Sequence, residues 1–141
     1  MKFYNILKIT FIFFFFTNNL IGANSFFSEG KKFFEEKKFI KAKLKFEQDI
    51  VFNPKSEKSY LYLSKIFNLQ KKTELEEENL NTVILLNPKN EEAVYNLAEL
   101  KLNESDYFES QKLIDILLTF CKNYCEKSKK LKNEITNSQK K

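Results

Sequence analysis

The feature that most constrains this chain is the tripeptide Asn-Pro-Lys, which occurs twice and places Pro54 and Pro88 34 residues apart. Each copy closes an apolar run, Ile50-Val51-Phe52 in the first case and Ile84-Leu85-Leu86 in the second. A proline forces the preceding residue out of the α region, so it ends one helix, and its fixed φ suits the start of the next. A fixed period of this size is typical of stacked helical repeats. The pattern therefore predicts joints between successive structural units.

The residues between these joints have helical periodicity. Tyr60, Leu63 and Phe67 fall on one stripe of a helix, and apolar residues recur at the same spacing between Val94 and Leu102. The chain has only two Gly and two Pro among 141 residues, and it has no alternating run long enough for a strand. We therefore expect an all-α protein.

On these residues, the segment from 24 to about 120 resembles three tetratricopeptide repeats, at about 24–56, 57–90 and 91–121. The family's 34-residue unit is a pair of antiparallel helices. The matching positions are Phe26, Gly30, Phe33, Ala42, Phe46 and Pro54, then Tyr60, Leu63, Ser64, Phe67, Leu80, Val83 and Pro88, then Val94, Leu97, Ala98, Ile114 and Leu117. The resemblance implies a right-handed superhelix of three helical hairpins.

The sequence also departs from the family pattern. Glu29 stands where leucine is usual, Asp49 where alanine is usual, and Lys101 where an aromatic residue is usual. Glu76 replaces a small packing residue, which is costly unless the carboxylate reaches solvent, and the second unit is expected to be splayed or shifted there. Lys122 stands where a third proline would fall, so the array is expected to end at that point.

The last residues are expected to close the array. Residues 122–141 are predicted to form a capping helix and a Lys-rich tail, with Tyr124, Leu131 and Ile135 facing inward. This stretch has seven lysines and two acidic residues, so it could also contact an anionic surface weakly, although a solvated terminus is the simpler interpretation.

Residues 1–25 have the layout of a secretory signal peptide. Lys2 and Lys8 lie ahead of an apolar run that ends at Phe16. This run is shorter than the ~20 residues of a spanning helix, and polar and then small residues follow it. Cleavage is expected after Ser25, or alternatively after Ala23. The chain is thus predicted to be exported, either periplasmic or secreted; the alternative is a membrane anchor formed by an uncleaved N-terminal segment. No cysteine suited to lipid modification lies near the cleavage site.

Composition excludes several function classes. Without the signal segment, 22 lysines face 19 acidic residues, a balance of +3, and the chain has no Arg for bidentate phosphate or guanine recognition. We therefore expect no nucleic-acid partner. The absence of His excludes Ser-His-Asp and Cys-His nucleophiles and His-containing zinc sites. We expect no catalytic residue, no cofactor and no metal, because the carboxylates follow a solvated pattern such as Glu74, Glu76, Glu77 and Glu78.

Cys121 and Cys125 are the only cysteines, at a spacing of four. On a continuous helix their α-carbons would lie ~6 Å apart, near the limit for a disulfide. In an oxidising compartment the pair could close as a staple, especially if the helix ends between them. A redox function is less well supported, because the spacing is not Cys-x-x-Cys.

The resemblance also implies a binding groove on the concave side, lined by the first helix of each unit. Its groove-facing positions correspond here to Phe27, Lys31, Phe34, Lys58, Leu61, Tyr62, Lys65, Glu92, Tyr95, Asn96, Glu99 and Leu102. An exposed row of Phe27, Phe34, Leu61, Tyr62, Tyr95 and Leu102 would form an apolar patch, which normally marks an interface. The alternative is that the N-terminal residues, the C-terminal helix or a second copy covers these side chains.

One known use of the family is a clamp for a peptide's terminal carboxylate. The corresponding positions are Phe27, Lys31, Tyr62, Glu92 and Asn96, among which only Lys31 is cationic and Glu92 has the wrong sign. We therefore expect apolar anchors to contribute more than charge. The resulting hypothesis is a non-catalytic adaptor of the cell envelope that binds a protein or peptide partner. The alternative is a structural subunit that buries the same face by self-association or in a constitutive complex.

Overall fold

The computed structural model of the protein describes residues 21–139, with side chains from Phe26 onward. Within this range the chain forms seven α-helices and no strand, which confirms the all-α prediction. The helices are α1 (Ile21–Glu35), α2 (Phe39–Phe52), α3 (Glu57–Leu69), α4 (Thr73–Leu86), α5 (Glu91–Asn103), α6 (Tyr107–Phe120) and α7 (Cys125–Ser138). Positions 1–20 of the predicted signal segment and Lys140 and Lys141 of the predicted tail lie outside the described residues.

Both Asn-Pro-Lys sequences lie between helices. The first follows α2, where the Asn53 N–H donates to the Asp49 carbonyl at 2.7 Å, and the second follows α4, where the Asn87 N–H donates to the Val83 carbonyl at 2.8 Å. Both asparagines have left the helical region, with φ −136° and ψ 80° at Asn53 and φ −144° and ψ 90° at Asn87. This is the restriction that a following proline imposes.

The described residues divide into two compact units, one that ends at Ser59 and one that begins at Tyr60, and we describe them separately. In the first unit, α1 packs against α2. The contact is closest at Gly30, where a β-carbon would lie 2.7 Å from Cε1 of the fully buried Phe46. Glycine is required here because the aromatic ring occupies the space of a side chain.

In the second unit, α5 packs against α4 and α6, and α6 packs against α7. The buried cluster contains Leu61, Leu80, Val83, Ala93, Val94, Leu97, Ala98, Leu100, Leu113, Ile114, Leu117, Leu131 and Ile135. Leu131 and Ile135 come from α7, with exposed fractions of 3% and 0%, so this helix faces the core as its spacing predicts. α7 therefore covers the end of the core that α6 would otherwise leave open.

The turns inside the hairpins repeat with the same period. Lys37, Lys71 and Ser105 are each 34 residues apart and have φ values of 58°, 55° and 64°. In each turn the following N–H donates to a carbonyl five residues earlier, as from Lys38 to Phe33 at 2.8 Å. A left-handed residue followed by this hydrogen bond is a Schellman motif. Its left-handed position is usually glycine. The sequence did not reveal it, because lysine and serine stand in the glycine position.

Three departures from the repeat pattern are accommodated by polar partners. Buried Asp49 accepts hydrogen bonds from the Ser56 and Ser59 hydroxyls. Glu29 pairs with Lys45 at 2.6 Å. Lys101 pairs with Glu77 at 2.6 Å and Glu104 at 3.0 Å. Although burial alone would lower the pKa of Lys101, the hydrogen bonds and charges of these two carboxylates raise it.

The expectation that Glu76 needs solvent is wrong. Its side chain is buried, with 5% exposed, and the Asn68 side chain donates to its carboxylate oxygens at 3.0 and 3.2 Å. Burial raises the pKa of Glu76, and the nearby charges of Glu99 and Glu104 raise it further, while the Asn68 hydrogen bond lowers it. A polar partner on the facing helix therefore replaces water.

Candidate functional site

The first helix of the third repeat, α5, presents polar and aromatic residues on one face. Its start is fixed by Asn90, whose side-chain oxygen accepts a hydrogen bond from the Ala93 N–H at 2.9 Å. Ala93, Val94, Leu97, Ala98 and Leu100 are the buried residues of α5. The core-facing stripe thus orients the helix, and the remaining face carries Glu92, Tyr95, Asn96 and Glu99.

These four predicted groove residues line a cleft of about 400 Å³. The opposite side comes from the N-cap and first turns of α7. The complete lining is Glu92, Tyr95, Asn96, Glu99, Tyr124, Lys127, Lys130, Leu131 and Glu134. The Tyr95 and Tyr124 rings lie 5.4 Å apart between centroids. α7 therefore forms one wall of the cleft that these four predicted groove residues line.

The cleft is lined by three acidic residues, two lysines and two tyrosines. Glu92 pairs with Lys65 at 2.8 Å, and the Lys127 ammonium lies 5.2 Å from the Tyr124 ring centroid. Burial and the neighbouring carboxylates, Glu99 first, raise the pKa of Tyr95. Burial raises the pKa of Tyr124 as well. Both phenols consequently stay protonated at neutral pH, so the cleft offers hydrogen-bond donors and aromatic faces.

The segment between α6 and α7 holds this wall in place. Cys121 and Cys125 form a disulfide with α-carbons 5.3 Å apart, across the turn where α6 has already ended. The Glu91 carboxylate accepts hydrogen bonds from the backbone N–H groups of Lys122 at 2.9 Å, Asn123 at 2.8 Å and Tyr124 at 2.9 Å. Burial opposes ionisation of Glu91, but these donors and the Lys122 charge outweigh it and lower its pKa. Glu91 therefore links the start of α5 to the start of α7.

Solved structures with the same arrangement of helices are known. No protein-family model matches the sequence, and no curated protein matches it significantly. The first TPR domain of Spaghetti (RPAP3), solved with an HSP90 peptide, is similar over 85% of this chain and 94% of its own, with TM-score 0.77 and 17% identity. The TPR2B domain of yeast Sti1 is similar over 84% and 98%, with TM-score 0.77 and 15% identity. The chain has the tetratricopeptide-repeat fold.

A bacterial TPR structure has comparable similarity. The Yersinia enterocolitica type III secretion chaperone SycD, solved with a peptide of the translocator YopD, matches over 82% of this chain and 93% of its own. Its TM-score is 0.75 at 13% identity. At such identities the similarity establishes the TPR fold only. We therefore describe the side chains at the predicted groove positions of this chain directly.

The predicted groove residues of the first TPR, Phe27, Lys31 and Phe34, are half-buried or exposed. The Phe27 ring lies 5.8 Å from Phe46, and the Lys58 ammonium lies 5.9 Å from the Phe27 centroid. Phe34 meets Phe39 edge-on at 5.5 Å. Lys31 is exposed and pairs with Glu35 at 3.7 Å. These aromatic residues contribute to local packing rather than standing free.

In the second unit, Tyr62 and Leu102 are also half-buried, and the Lys65 ammonium lies 4.8 Å from the Tyr62 ring centroid. The prediction of an exposed apolar row is wrong for Leu61, which is 8% exposed and belongs to the buried cluster. The same cluster contains Val94 and Leu97 of the following repeat's first helix, and removal of the leucine side chain from water stabilises this arrangement.

The exposed apolar side chains of the described residues lie mostly outside the predicted groove. The large exposed residues are Ile40, Leu44, Val51, Phe52, Leu69, Leu75, Leu85, Phe108 and Ile116. Most of them belong to α2, α4 and α6, the second helices of the TPRs. The available signal was the apolar spacing of Ile40, Leu44 and Val51, which lies off the packing stripe marked by Ala42 and Phe46.

Two further features are absent from the described residues. That part of the chain contains no group of three or more His, Cys, Asp or Glu side chains arranged to hold a metal ion. None of its helices is long and apolar enough to cross a membrane.

Proposed function

We propose that the protein is an exported, non-catalytic interaction module of the cell envelope that binds a peptide or helix along the first helices of its TPRs. The observation that carries this proposal is the cleft beside α5, where four predicted groove residues, Glu92, Tyr95, Asn96 and Glu99, share one accessible surface. A cleft that combines aromatic faces with a few polar groups suits a peptide backbone and its side chains.

The similar structures support this type of partner. The RPAP3 domain was solved with an HSP90 peptide, and SycD was solved with a peptide of YopD. In this chain, however, Glu92 occupies a position that would face a terminal carboxylate, and it pairs with Lys65. The cleft therefore favours a partner held by internal side chains and backbone groups over one held by its carboxyl terminus.

Site-specific photo-crosslinking tests the groove directly. A photoreactive residue in place of Asn96 is expected to give a discrete adduct in cells, because Asn96 lines the cleft. The matched control places the same residue at Glu78, an exposed position on α4. Adducts of equal yield at both positions, or none at position 96, would contradict groove binding.

The mass of the adduct separates the two candidate functions. A heterologous partner gives an adduct of this chain plus a different protein. An adduct of twice the chain mass would instead identify the alternative, a structural subunit that self-associates through the same face. The half-buried state of Tyr95, which packs against Tyr124, is compatible with either outcome.

The proposed export of the protein can be tested separately from its binding. If residues 1–25 are removed, the envelope fraction should contain a chain that begins at Phe26, which intact-mass measurement detects. An N-terminus at Asn24 would indicate the alternative cleavage site. A full-length chain that remains with the membrane fraction would indicate the uncleaved anchor instead.

A further inference from the structure

The outward face of α2 carries three exposed apolar side chains, and Glu47, which pairs with Lys43, lies between the second and the third. Ile40, Leu44 and Val51 are 83%, 55% and 74% exposed, and their spacing of four and seven residues places them on one side of the helix. We call these three residues the outer stripe of α2. A row of branched side chains left in water is unfavourable, and it normally marks a surface that another body covers.

The TPR fold does not require this stripe. The equivalent positions, one repeat further along, are Glu74, Glu78 and Leu85 in α4. In α6 they are Phe108, Lys112 and Thr119. Only α2 is apolar at all three positions, although the second helices share the same place in their repeats. The stripe is therefore a property of the first repeat and points to a function of that repeat.

Charge distinguishes the first repeat in the same way. Residues 26–56 contain eight lysines and five acidic residues, whereas residues 57–139 contain twelve lysines and fourteen acidic residues. Acidic side chains close to α2 already have lysine partners, as Glu36 pairs with Lys38 and Glu47 pairs with Lys43, both at 2.7 Å. The excess in the first repeat is thus cationic, on the same helical hairpin that carries the outer stripe.

We propose that the outer stripe of α2 docks on a membrane surface that contains anionic lipids. The three apolar side chains would enter the boundary between headgroups and acyl chains, and exposed lysines such as Lys37 and Lys41 would lie at the headgroups. α2 has 14 residues, short of the ~20 that a spanning helix needs, so it lies in the interface and does not cross the membrane.

Charge complementarity favours this occupant over a second copy of the chain. A symmetric dimer through the stripe would bring two cationic hairpins together, and like charges oppose that contact. An anionic bilayer attracts the same lysines and accepts the apolar side chains at once. This docking is independent of the proposed groove, because the stripe lies on a second helix and the groove residues lie on first helices.

Vesicle binding by the mature chain that begins at Phe26 tests the proposal, because the apolar signal segment would bind vesicles by itself. The test variant is Ile40→Glu plus Val51→Glu. The matched control is Phe108→Glu plus Leu85→Glu, which alters the equivalent positions of other repeats, at 78% and 82% exposure, by the same charge. On phosphatidylglycerol-containing vesicles, the test variant should bind about tenfold more weakly than wild type, whereas the control should stay close to wild type.

The lipid and salt dependence should follow from the lysines. Wild-type binding is expected to fall on pure phosphatidylcholine vesicles and at high salt, because the headgroup charge is then absent or screened. Equal losses in the test and control variants would overturn the proposal. Undiminished binding of the test variant would do so as well, since another part of the chain would then hold the membrane.

A fluorescent reporter gives a second, direct readout. The chain contains no Trp, so Ile40→Trp introduces a single indole into the stripe, and Phe108→Trp is its matched control. Adding anionic vesicles should shift the emission of Ile40→Trp to shorter wavelength and leave Phe108→Trp unchanged. The absence of a shift at position 40 would overturn docking through this face even if the glutamate variants failed to fold.

Sedimentation equilibrium distinguishes the competing occupant. If wild type is a dimer that Ile40→Glu plus Val51→Glu makes monomeric, while vesicle binding is unchanged, the stripe is a self-association surface and the proposal is wrong. A monomeric wild type that still binds vesicles through the stripe supports it. The milder pair Ile40→Ser plus Val51→Ser repeats each measurement with less perturbation of the helix.

Discussion

The joints at Pro88 and Lys122 occupy equivalent positions of the repeat, yet they are built by different chemistry. At the first, a proline stiffens the chain and Asn90 caps the next helix. At the second, the Lys122 N–H, which a proline would lack, donates to Glu91, and a disulfide closes the turn. Where the proline is missing, the joint is therefore fixed in another way: the local stiffness of proline is replaced by the disulfide and by hydrogen bonds to Glu91, which we call the Glu91 anchor.

The joint at Pro54 adds a third solution. Asp49, Ser56 and Ser59 form a buried polar group there, whereas the equivalent positions at the Pro88 joint are Val83, Asn90 and Ala93. The backbones of the two proline joints agree closely, so this difference lies in the side chains that seal them. Each joint can therefore be tested by exchanging its chemistry for that of another.

Removing the disulfide should have the largest effect. Cys121→Ser plus Cys125→Ser opens a short loop, and the expected loss is about 2 kcal/mol in the free energy of unfolding. Urea unfolding followed by circular dichroism measures it, with wild type under reducing conditions as the matched comparison. If the anchor at Glu91 alone holds α7, the variant will unfold at the wild-type midpoint, and the disulfide will have no share in the joint.

Exchanging the chemistry of the proline joints should have the next largest effect. Asp49→Val places the residue of the Pro88 joint at the Pro54 joint and leaves the buried Ser59 hydroxyl without its acceptor, at a cost of about 1–2 kcal/mol. Adding Ser59→Ala removes that unpaired hydroxyl and should recover most of the loss, because the two buried positions are then apolar, as they are at the Pro88 joint. A double variant as unstable as the single one would show that the joints differ in backbone as well.

The joints also show how far sequence reasoning extends. Pro54, Pro88 and the inward positions Leu131 and Ile135 could be predicted, because prolines and apolar spacing act locally on the backbone. The role of Glu91 could not, since its three donors lie 31 to 33 residues away and are backbone groups that carry no side-chain signal.

The site was less predictable than the fold. Leu61 was predicted to face the groove, but its burial depends on how closely neighbouring helices approach, which a helical pattern does not specify. Conversely, the outer stripe of α2 was visible as spacing, but only the exposed fractions of Ile40 and Val51 separate it from a core stripe. Helix type is a local property, whereas burial is decided by partners distant in sequence.

Introducing a proline at the third joint should have a smaller effect on the free energy of unfolding. Lys122→Pro removes one N–H donor to Glu91, and we expect a loss of about 1 kcal/mol in the free energy of unfolding. Lys122→Ala is the matched control, because it removes the same side chain but keeps the donor. Equal stability of the two variants in thermal unfolding would mean that this hydrogen bond contributes nothing to the joint.

The smallest expected effect is the pH dependence of the Glu91 anchor, because water and salt screen an accessible carboxylate. Three backbone donors and Lys122 lower the pKa of Glu91 against the opposing effect of burial. Its contribution is thus present above the pKa of the unfolded chain and is lost as the pH falls through the lower, folded pKa.

Glu91→Gln removes this contribution, so its stability relative to wild type should be lowest near neutral pH and should approach the wild-type value in acid. Glu76 supplies the opposing control: its pKa is raised mainly by burial, so its ionisation destabilises the fold as the pH rises. Glu76→Gln should therefore gain stability relative to wild type over that rise. Amide hydrogen exchange in α7 separates the two carboxylates, because only the loss of Glu91 releases the start of that helix.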